Sequence, residues 1–340
     1  MEYSAQKNEI IKTFHFVRPV PLINIQSSCF MNVCFQILNQ CHEIVYALNN
    51  INCEIDMNSL LYMWCQFYKD TIKRDLSKHM DNQVYQMKFI TKIREICKQN
   101  NCPFDGENDA SEFMLYLINS FHQAVKKPFT YRVNKKKSPE WVQCQQMLHT
   151  IYNTEYSEIM NILYFITTTQ IWSEDQTVLH SNKPEHMFML YLPIPPLKQI
   201  TLYDCFDYYI YPETVTNWFN EKTNAHETIS KKNEFCTFPE ILFITLQKQY
   251  HRGHQKQIVF PIIDLDLNSY ISDKYPKKKD YTYHLMAICN HYGTIGGGHY
   301  NCIVNTHPHW VMCDDDKLGI ISDVENMCSC YPYMLVYRRK

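Results

Sequence analysis

Residues 24–41 read NIQSSCFMNVCFQILNQC, and from Phe30 onward their apolar side chains recur at the spacing of one helix face. One of the two serines before Cys29 can cap the first turn of this predicted helix. Cys29 would then stand at the helix N-terminus, where the helix dipole lowers the pKa of a thiol and favours the nucleophilic thiolate. The segment therefore predicts a helix that begins on a reactive cysteine.

A second informative segment carries four of the chain's seven glycines within residues 293–298 and continues into His299 and Tyr300. Glycine permits positive φ and lets another backbone come close. We interpret the segment as a catalytic loop over which an extended peptide lies. A mobile hairpin tip is the alternative interpretation.

The two halves of the chain differ in their hydrophobic patterns. Helical spacing recurs in the first half, for instance over residues 110–121. After about residue 185, short apolar or aromatic segments bounded by turn residues predict strands at 241–246, 258–267, 281–289, 300–304 and 333–337. Helices followed by an antiparallel sheet indicate an α+β fold.

Composition favours an ordinary intracellular protein. Of the 340 residues, 45% are hydrophobic and 20% are charged, and the formal net charge of −2 points to neither nucleic acid nor a membrane surface as a partner. The first twenty residues lack the apolar core of a secretory signal, and no stretch approaches the length of a membrane span. The fifteen cysteines are therefore expected to be free thiols, in the cytoplasm or the nucleus.

A cysteine at a helix start and a histidine far along the chain are the pair that a thiol protease needs. The imidazole of His299 would take the proton of the Cys29 thiol and later protonate the leaving amine. Asp314, fifteen residues after the histidine, could accept a hydrogen bond from the other ring nitrogen and orient the ring. Two plainer interpretations stay open. Fifteen cysteines and fifteen histidines offer many pairs, and an aspartate triplet is often a solvated turn.

Several segments together resemble the ubiquitin-specific proteases, which are papain-like cysteine peptidases. Residues 21–32 are similar, without a gap, to the cysteine box of that family, and residues 109–113 look like its Asp-Ala-x-Glu-Phe box. Weaker landmarks, the histidine box and the last strands follow in the expected order at 192–195, 238–242, 283–287, 291–293, 298–300, 310–315 and 333–337. The resemblance covers about residues 20–338.

The resemblance implies a papain-like cysteine protease fold in a single catalytic domain. After an N-terminal extension at 1–19, the domain at 20–338 would consist of a helical thumb at 20–165, a reduced fingers-like segment at 166–236 and an antiparallel β palm at 237–338. Its partners would be ubiquitin and ubiquitinated proteins, and we expect it to be a monomer.

The resemblance also implies roles for single residues. Cys29 would be the nucleophile, His299 the general acid and base, and Asp314 the orienting carboxylate, with Asp315 as the alternative one position later. Asn24 matches the residue whose side-chain amide would donate a hydrogen bond to the tetrahedral oxyanion.

A further set of residues would bind the C-terminal tail of ubiquitin. Asp109 and Glu112 match carboxylates that grip its arginine-bearing tail, although Asp-x-x-Glu before an apolar helix is also a plain capping box. Gly293 to Gly298 would form the wall of a narrow channel that admits only the diglycine end of the tail, and Tyr300 would also bind the tail. Gly298 would also set the histidine against the cysteine.

The sequence departs from the family pattern at Gln26 and Ser28, where glycine and threonine are usual. Gln26 restricts φ and adds bulk close to the oxyanion site. The leading hypothesis is a deubiquitinase that cleaves the isopeptide bond after the C-terminal glycine of ubiquitin. A catalytically impaired scaffold that binds ubiquitin on the same fold is one alternative, and a protease for a ubiquitin-like modifier is another.

The chain contains no Cys-x-x-Cys pair, whereas members of the family commonly bind a structural zinc through two such pairs in the fingers. We therefore expect no zinc and no other cofactor, and a fingers segment held by packing alone. Elemental analysis of the purified protein should find far less than one zinc per chain. One stoichiometric zinc would contradict this expectation.

Overall fold

The computed structural model describes residues 18–49, 55–73, 79–247, 257–276, 280–294, 297–322, 327 and 331–340. Most of the predicted extension at 1–19 therefore lies outside the described residues. Helices come first along the chain and strands predominate afterwards, so the predicted α+β class is confirmed. Within the described ranges, no helix has the length and apolar character needed to cross a membrane.

Helices dominate the first half of the chain. They are α1 (Cys29–Asn39), α2 (His42–Asn49), α3 (Leu60–Lys73), α4 (His79–Gln99), α5 (Ala110–Val125), α6 (Pro139–Glu155) and α7 (Glu158–Leu163), with α8 (Leu202–Ile210) among the later strands. Local sequence signals explain where two of these helices begin. Asp109 caps α5 through two backbone N–H groups, and Ser138 caps α6, which has Pro139 in its first turn.

The predicted helix that begins on Cys29 is α1, and all eleven of its residues are buried. Ser28 occupies the N-cap position, but its side chain makes no capping hydrogen bond, so the predicted serine cap is wrong. Its Oγ instead accepts from the N–H of Ile25 at 2.9 Å and donates to the carbonyl oxygen of Ile23 at 3.4 Å. The hydroxyl therefore fixes the turn before the helix.

Fourteen strands form three sheets in the described part of the chain. They are β1 (Phe165–Ser173), β2 (Leu179–Met187), β3 (Met189–Pro193), β4 (Ile200–Thr201), β5 (Glu213–Asn220), β6 (Ala225–Thr237), β7 (Ile241–Gln247), β8 (Ile258–Val259), β9 (Leu265–Asp266), β10 (Thr282–Thr294), β11 (Gly297–Asn305), β12 (Trp310–Asp314), β13 (Lys317–Ile321) and β14 (Pro332–Arg339).

The strands of the four-stranded sheet precede those of the eight-stranded sheet along the chain, except that β3 of the larger sheet comes between β2 and β5. The four-stranded sheet has the order β2-β1-β6-β5 and is antiparallel. The eight-stranded sheet has the order β13-β12-β11-β10-β14-β7-β3, with β9 beside β10. The sequence analysis predicted an antiparallel sheet. In this larger sheet, however, β3 runs parallel to β7, so the prediction is wrong for this one pair of strands. The third sheet is the short parallel pair of β4 and β8.

Two strand predictions differ from the structure. Strands begin at Phe165, about twenty residues before the predicted change of pattern, because β1 opens with phenylalanine, isoleucine and a run of threonines that favour a strand. The predicted strand at 258–267 is instead the two short strands β8 and β9. They are separated by a turn in which Asp264 has a φ of 59°.

Contacts of α1 and α2 join the helices to the large sheet. Phe30 of α1 packs edge to face on Phe113 of α5, with ring centroids 5.4 Å apart, and α1 also lies against β11. Arg338 of β14 donates to Glu43 of α2 from Nε at 2.7 Å and from Nη2 at 3.1 Å. Burial would raise the pKa of Glu43, but the charge and hydrogen bonds of Arg338, together with the backbone N–H of Glu43 and the charge of His42, hold that pKa below its ordinary value. These contacts fix the helices over the strands that carry the candidate site.

Candidate active site

The N-terminus of α1 meets the β10–β11 hairpin and β12, and the predicted catalytic residues lie where they meet. Cys29 is the first residue of α1 and only 5% exposed. Its sulfur receives a hydrogen bond from the backbone of Tyr300 in β11. His299 directly precedes Tyr300, so the fold brings the strand that carries the predicted base next to the predicted nucleophile.

Burial controls the protonation of the Cys29 thiol. It has the largest effect and raises the pKa of Cys29 above its ordinary value of 9.0. The backbone N–H groups of Tyr300, Phe30 and Cys29 itself lower this pKa, as expected at a helix start, while the carboxylate of Asp315 raises it. Burial prevails, so the predicted lowering of the pKa is wrong, and the free protein holds a neutral thiol.

His299 and Asp314 form a hydrogen-bonded pair. Nε2 of His299 lies 2.6 Å from Oδ1 of Asp314 and 3.9 Å from Oδ2 of Asp315. The side chains of His299 and Asp314 are each 39% exposed, so a substrate can reach the ring. Nδ1 is the ring nitrogen that remains for proton exchange with a thiol. Of the two candidate carboxylates, the distances favour Asp314 as the partner of the imidazole.

Asp315 connects the segment around α1 to the turn after β12. Its Oδ1 accepts from Nδ2 of Asn32 in α1 at 2.9 Å, and its carbonyl oxygen accepts from the N–H of Leu22 at 2.9 Å. The side chain of Asn24 also hydrogen-bonds to its carboxylate. Burial raises the pKa of Asp315, and its bonds to Asn32 and Asn24 and the charge of His299 offset this only in part.

Asn32 is a site residue that sequence reasoning missed. It lies about one helical turn after Cys29, is 4% exposed, and also donates to the carbonyl oxygens of Leu22 at 3.3 Å and Ile23 at 3.1 Å. A signal was present in the sequence. An asparagine within an apolar helix is a buried polar group, and such groups need hydrogen-bond partners.

Asn24 and the turn that follows it lead into α1. Oδ1 of Asn24 accepts from the N–H of Ser28 at 2.9 Å, so its amide nitrogen is the donor that bonds to the carboxylate of Asp315. Gln26 and Ser27 have φ values of 49° and 61°, which are uncommon for residues other than glycine. Gln26 therefore adopts a backbone conformation that favours glycine, at a position where the resembled family usually has glycine.

Asp109 and Glu112 lie at the start of α5 and differ in what they can bind. Oδ1 of Asp109 accepts from the N–H groups of Ser111 at 2.7 Å and Glu112 at 3.0 Å, and its Oδ2 accepts from the hydroxyl of Tyr333. Glu112 is exposed, and its charge adds to the burial that raises the pKa of Tyr191. The carboxylate of Asp109 is thus occupied as a helix cap. Tail binding by the two residues stays a prediction.

The glycine-rich segment is the tip of the β10–β11 hairpin, where Gly293 pairs with Gly298. A Cβ on Gly298 would lie 2.6 Å from the carbonyl oxygen of Tyr292, and one on Gly293 would lie 2.4 Å from the carbonyl oxygen of Gly297. These approaches leave no room for a side chain, so both positions require glycine. Residues 295 and 296, at the very tip, lie outside the described residues.

The hairpin also contacts the helical half of the protein. A Cβ on Gly297 would lie 2.9 Å from Oε2 of Glu107, which belongs to the loop before α5. The ring of Tyr300 is buried, with its centroid 4.5 Å from that of His291 and 5.7 Å from that of Tyr333. The loop before α5 therefore lies against the hairpin at Gly297.

Potential metal ligands converge at this site. His299, Asp314 and Asp315 each offer one ligand atom, and these three atoms lie within 4.8 Å of one another. Within the described ranges, no other group of three or more His, Cys, Asp or Glu side chains converges in this way. The hydrogen bond between His299 and Asp314 accounts for much of this convergence.

Comparison with known proteins gives this arrangement a context. The family described as ubiquitin carboxyl-terminal hydrolase matches residues 20–337. Ubiquitin carboxyl-terminal hydrolase 8 of Arabidopsis thaliana is 33% identical over 153 residues, which cover 42% of this chain and 17% of that protein. Ubiquitin carboxyl-terminal hydrolase 4 of Eremothecium gossypii is 23% identical over 381 aligned positions, which cover 98% of this chain and 44% of that protein. The chain thus spans less than half the length of these curated relatives.

Solved structures share the fold. A chain of the SAGA DUB module of Ubp8, Sgf11, Sus1 and Sgf73 bound to monoubiquitin has a TM-score of 0.70 and 20% identity, over 94% of this chain and 69% of that chain. The module bound to ubiquitin aldehyde gives a TM-score of 0.68 and 22% identity over the same shares. At this level of identity, the likeness establishes the α+β architecture alone.

The raised pKa of Cys29 predicts how its reactivity depends on pH. Because the pKa lies above 9.0, the thiolate fraction should still rise as the pH increases through 9. The rate of iodoacetamide alkylation at Cys29, followed by peptide mass spectrometry, should therefore rise about tenfold per pH unit between pH 7 and 9. A rate that levels off below pH 8 would mean that the helix start lowers the pKa of Cys29 by more than burial raises it.

Proposed function

This chain belongs to the ubiquitin carboxyl-terminal hydrolase family, and from that premise we propose that it is a cysteine-type deubiquitinase. It would hydrolyse the isopeptide bond at the C-terminal glycine of ubiquitin and so remove ubiquitin from protein conjugates. One observation supports this most strongly. The thiol at the start of α1 lies beside the strand that carries His299, whose Nε2 is 2.6 Å from Asp314.

In the proposed mechanism, Sγ of Cys29 attacks the carbonyl carbon of the substrate glycine while Nδ1 of His299 takes the thiol proton. Asp314 accepts a hydrogen bond from Nε2–H, which fixes the tautomer that leaves Nδ1 free as a base. Since burial keeps the free thiol neutral, proton transfer accompanies the attack on a bound substrate.

The second half of the reaction returns the proton. His299 donates it to the lysine nitrogen as the C–N bond breaks, which leaves a thioester on Cys29. Water then attacks the thioester with His299 as the base, releasing the ubiquitin carboxylate and the thiol. Asn24, whose Oδ1 is held by the N–H of Ser28, would donate to the oxyanion together with backbone N–H groups at the start of α1.

The tail of ubiquitin would lie across the loop before α5 and the glycine hairpin, which are in contact with each other. Gly298 and the backbone of Tyr300 would form one wall, and the absence of a side chain at Gly298 would suit a diglycine end. Glu112 is exposed and would pair with an arginine of the tail. Asp109 would act chiefly by fixing the start of α5, because its carboxylate is already hydrogen-bonded.

We further propose that residues 20–338 are a single papain-like catalytic domain. The helical thumb at 20–165 would hold the nucleophile, and the palm at 237–338 would hold the histidine and the aspartate. Support comes from the sheets. The four-stranded sheet of β1, β2, β5 and β6 falls within or at the edges of the fingers-like segment at 166–236, and most of the eight-stranded sheet falls in the palm.

The fingers-like segment would be stable without zinc. The rings of His180 and Trp218 stack with centroids 5.7 Å apart, and Glu227 accepts from Nδ2 of Asn220 at 3.1 Å and from Oγ1 of Thr223 at 2.6 Å. These contacts link β2, β5 and β6 around one carboxylate. They support packing and hydrogen bonding as the means by which the segment is held.

Ubiquitin and ubiquitinated proteins would be the partners of this chain. The SAGA module with the similar fold holds ubiquitin together with Sgf11, Sus1 and Sgf73, whereas we propose that this chain acts as a monomer. An intracellular setting, in the cytoplasm or the nucleus, would suit its thiols, because every cysteine within the described residues is free.

A ubiquitin that carries an electrophile at its C-terminus tests the proposed function. The wild-type protein should form one covalent adduct at Cys29, visible as a mass increase of one ubiquitin, and Cys29→Ala should form none. Cys65→Ala is the matched control, because Cys65 is a half-exposed free thiol on α3 and its removal should leave labelling intact.

Labelling that survives in Cys29→Ala would contradict the assignment of the nucleophile. The same electrophile on a SUMO or another ubiquitin-like tail should react much more slowly. If such a probe reacts faster than the ubiquitin probe, the substrate is that modifier. If the wild-type protein binds ubiquitin but no probe labels it, the chain is a binding scaffold.

A further inference from the structure

The turn before α1 contains two consecutive residues, Gln26 and Ser27, with φ values of 49° and 61°. This region is unfavourable for any residue with a Cβ, because the Cβ crowds the neighbouring carbonyl oxygen. Such a conformation persists only where surrounding contacts hold it. The turn lies between Asn24 and Cys29, so its conformation decides where both of these residues lie.

Arg94 of α4 holds this turn from outside. Its Nη2 donates to the carbonyl oxygen of Gln26 at 2.7 Å, and its Nη1 donates to Oε1 of the same residue at 3.1 Å. One guanidinium therefore grips both the backbone and the side chain of the strained residue. A planar guanidinium can form both bonds at once, whereas the ammonium of lysine cannot match this geometry.

The guanidinium is itself anchored to the core. Its Nε donates to the carbonyl oxygen of Phe104 at 3.2 Å. Phe104 is buried, with its ring centroid 5.0 Å from that of Phe113 in α5 and 6.2 Å from that of Phe30 in α1. Arg94 therefore ties the turn to a rigid part of the protein.

We propose that Arg94 is a positioning residue for the nucleophile turn and acts through Gln26. The inference rests on the proposed function, because its main readout is turnover of a ubiquitin substrate. Without the guanidinium, Gln26 loses both hydrogen bonds from Arg94 and the turn relaxes towards negative φ. That relaxation moves Asn24 and the backbone N–H of Cys29 away from the position of the oxyanion.

Glycine at position 26 would hold the same turn without help, because glycine adopts positive φ without strain. The effect of losing Arg94 should therefore depend on the residue at position 26. With glutamine the guanidinium is needed, and with glycine it is nearly dispensable. We call the two hydrogen bonds from Arg94 to Gln26 the clamp. The dependence on residue 26 distinguishes the clamp from a general contribution of Arg94 to the fold.

A double-mutant cycle of Arg94→Met and Gln26→Gly tests the proposal, with ubiquitin bearing a fluorogenic amine at its C-terminus as the substrate. Arg94→Met should lower kcat by about tenfold and change KM by less than about twofold, since hydrogen bonds of a charged group to the turn are lost. In the Gln26→Gly background, the same substitution should change kcat by less than about twofold. Gln26→Ala keeps the strain and lacks Oε1, so it should be slower than Gln26→Gly.

Lys92→Met is the matched control. It removes a positive charge from the same helix, where Lys92 pairs with Glu95 at 3.6 Å, and should leave kcat unchanged. Equal losses from Arg94→Met in both backgrounds would overturn the proposal, and so would the absence of a loss with glutamine at position 26.

Urea unfolding of the same four proteins gives a readout that needs no ubiquitin. Arg94→Met should lower the midpoint concentration of urea more with glutamine than with glycine at position 26. If this coupling is found while the wild-type protein turns over no ubiquitin substrate, the proposed function is wrong and the clamp stands. If turnover is normal and neither kcat nor the midpoint shows coupling, the clamp alone is wrong.

Discussion

Asp315 joins two parts of the chain that must meet before any chemistry can occur. Its carboxylate accepts from Asn32 in α1 at 2.9 Å, across 283 positions of sequence, and its carbonyl oxygen accepts from the N–H of Leu22 at 2.9 Å. α1 brings Cys29, while the strands next to Asp315 bring His299 and its partner carboxylate. The geometry of the site therefore depends on the joint that these two hydrogen bonds form. Hydrogen bonds specify one arrangement more closely than packing alone does.

The burial that accompanies the joint also sets the chemical state of the site. Cys29 is removed from solvent beside the carboxylate of Asp315, and both effects raise the pKa of its thiol. His299 and Asp314 stay partly exposed and can respond to a substrate. In the proposed mechanism, the neutral thiol becomes a nucleophile when a bound carbonyl group lets its proton move to the imidazole.

Local sequence signals predicted the parts of the site that a single segment defines. Cys29 does begin a helix, and Asp314 does lie beside His299, although the roles of these residues came from resemblance to a family. The bonds of Asn32 and Arg94 could not be predicted in the same way, because they join distant segments whose register only the folded chain sets. The direction of the Cys29 pKa was wrong for a related reason. A helix start is visible in sequence, whereas the depth of burial is a property of the whole fold.

The most direct test of the joint is a double-mutant cycle of Asn32→Ala and Asp315→Ala, with kcat for a C-terminal ubiquitin amide as the measured quantity. If the bond between these side chains positions the site, each single substitution should lower kcat by at least about tenfold. The double variant should then be no slower than Asp315→Ala, because both substitutions break the same contact. Losses that multiply in the double variant would contradict the account, since they would show that the two side chains act independently.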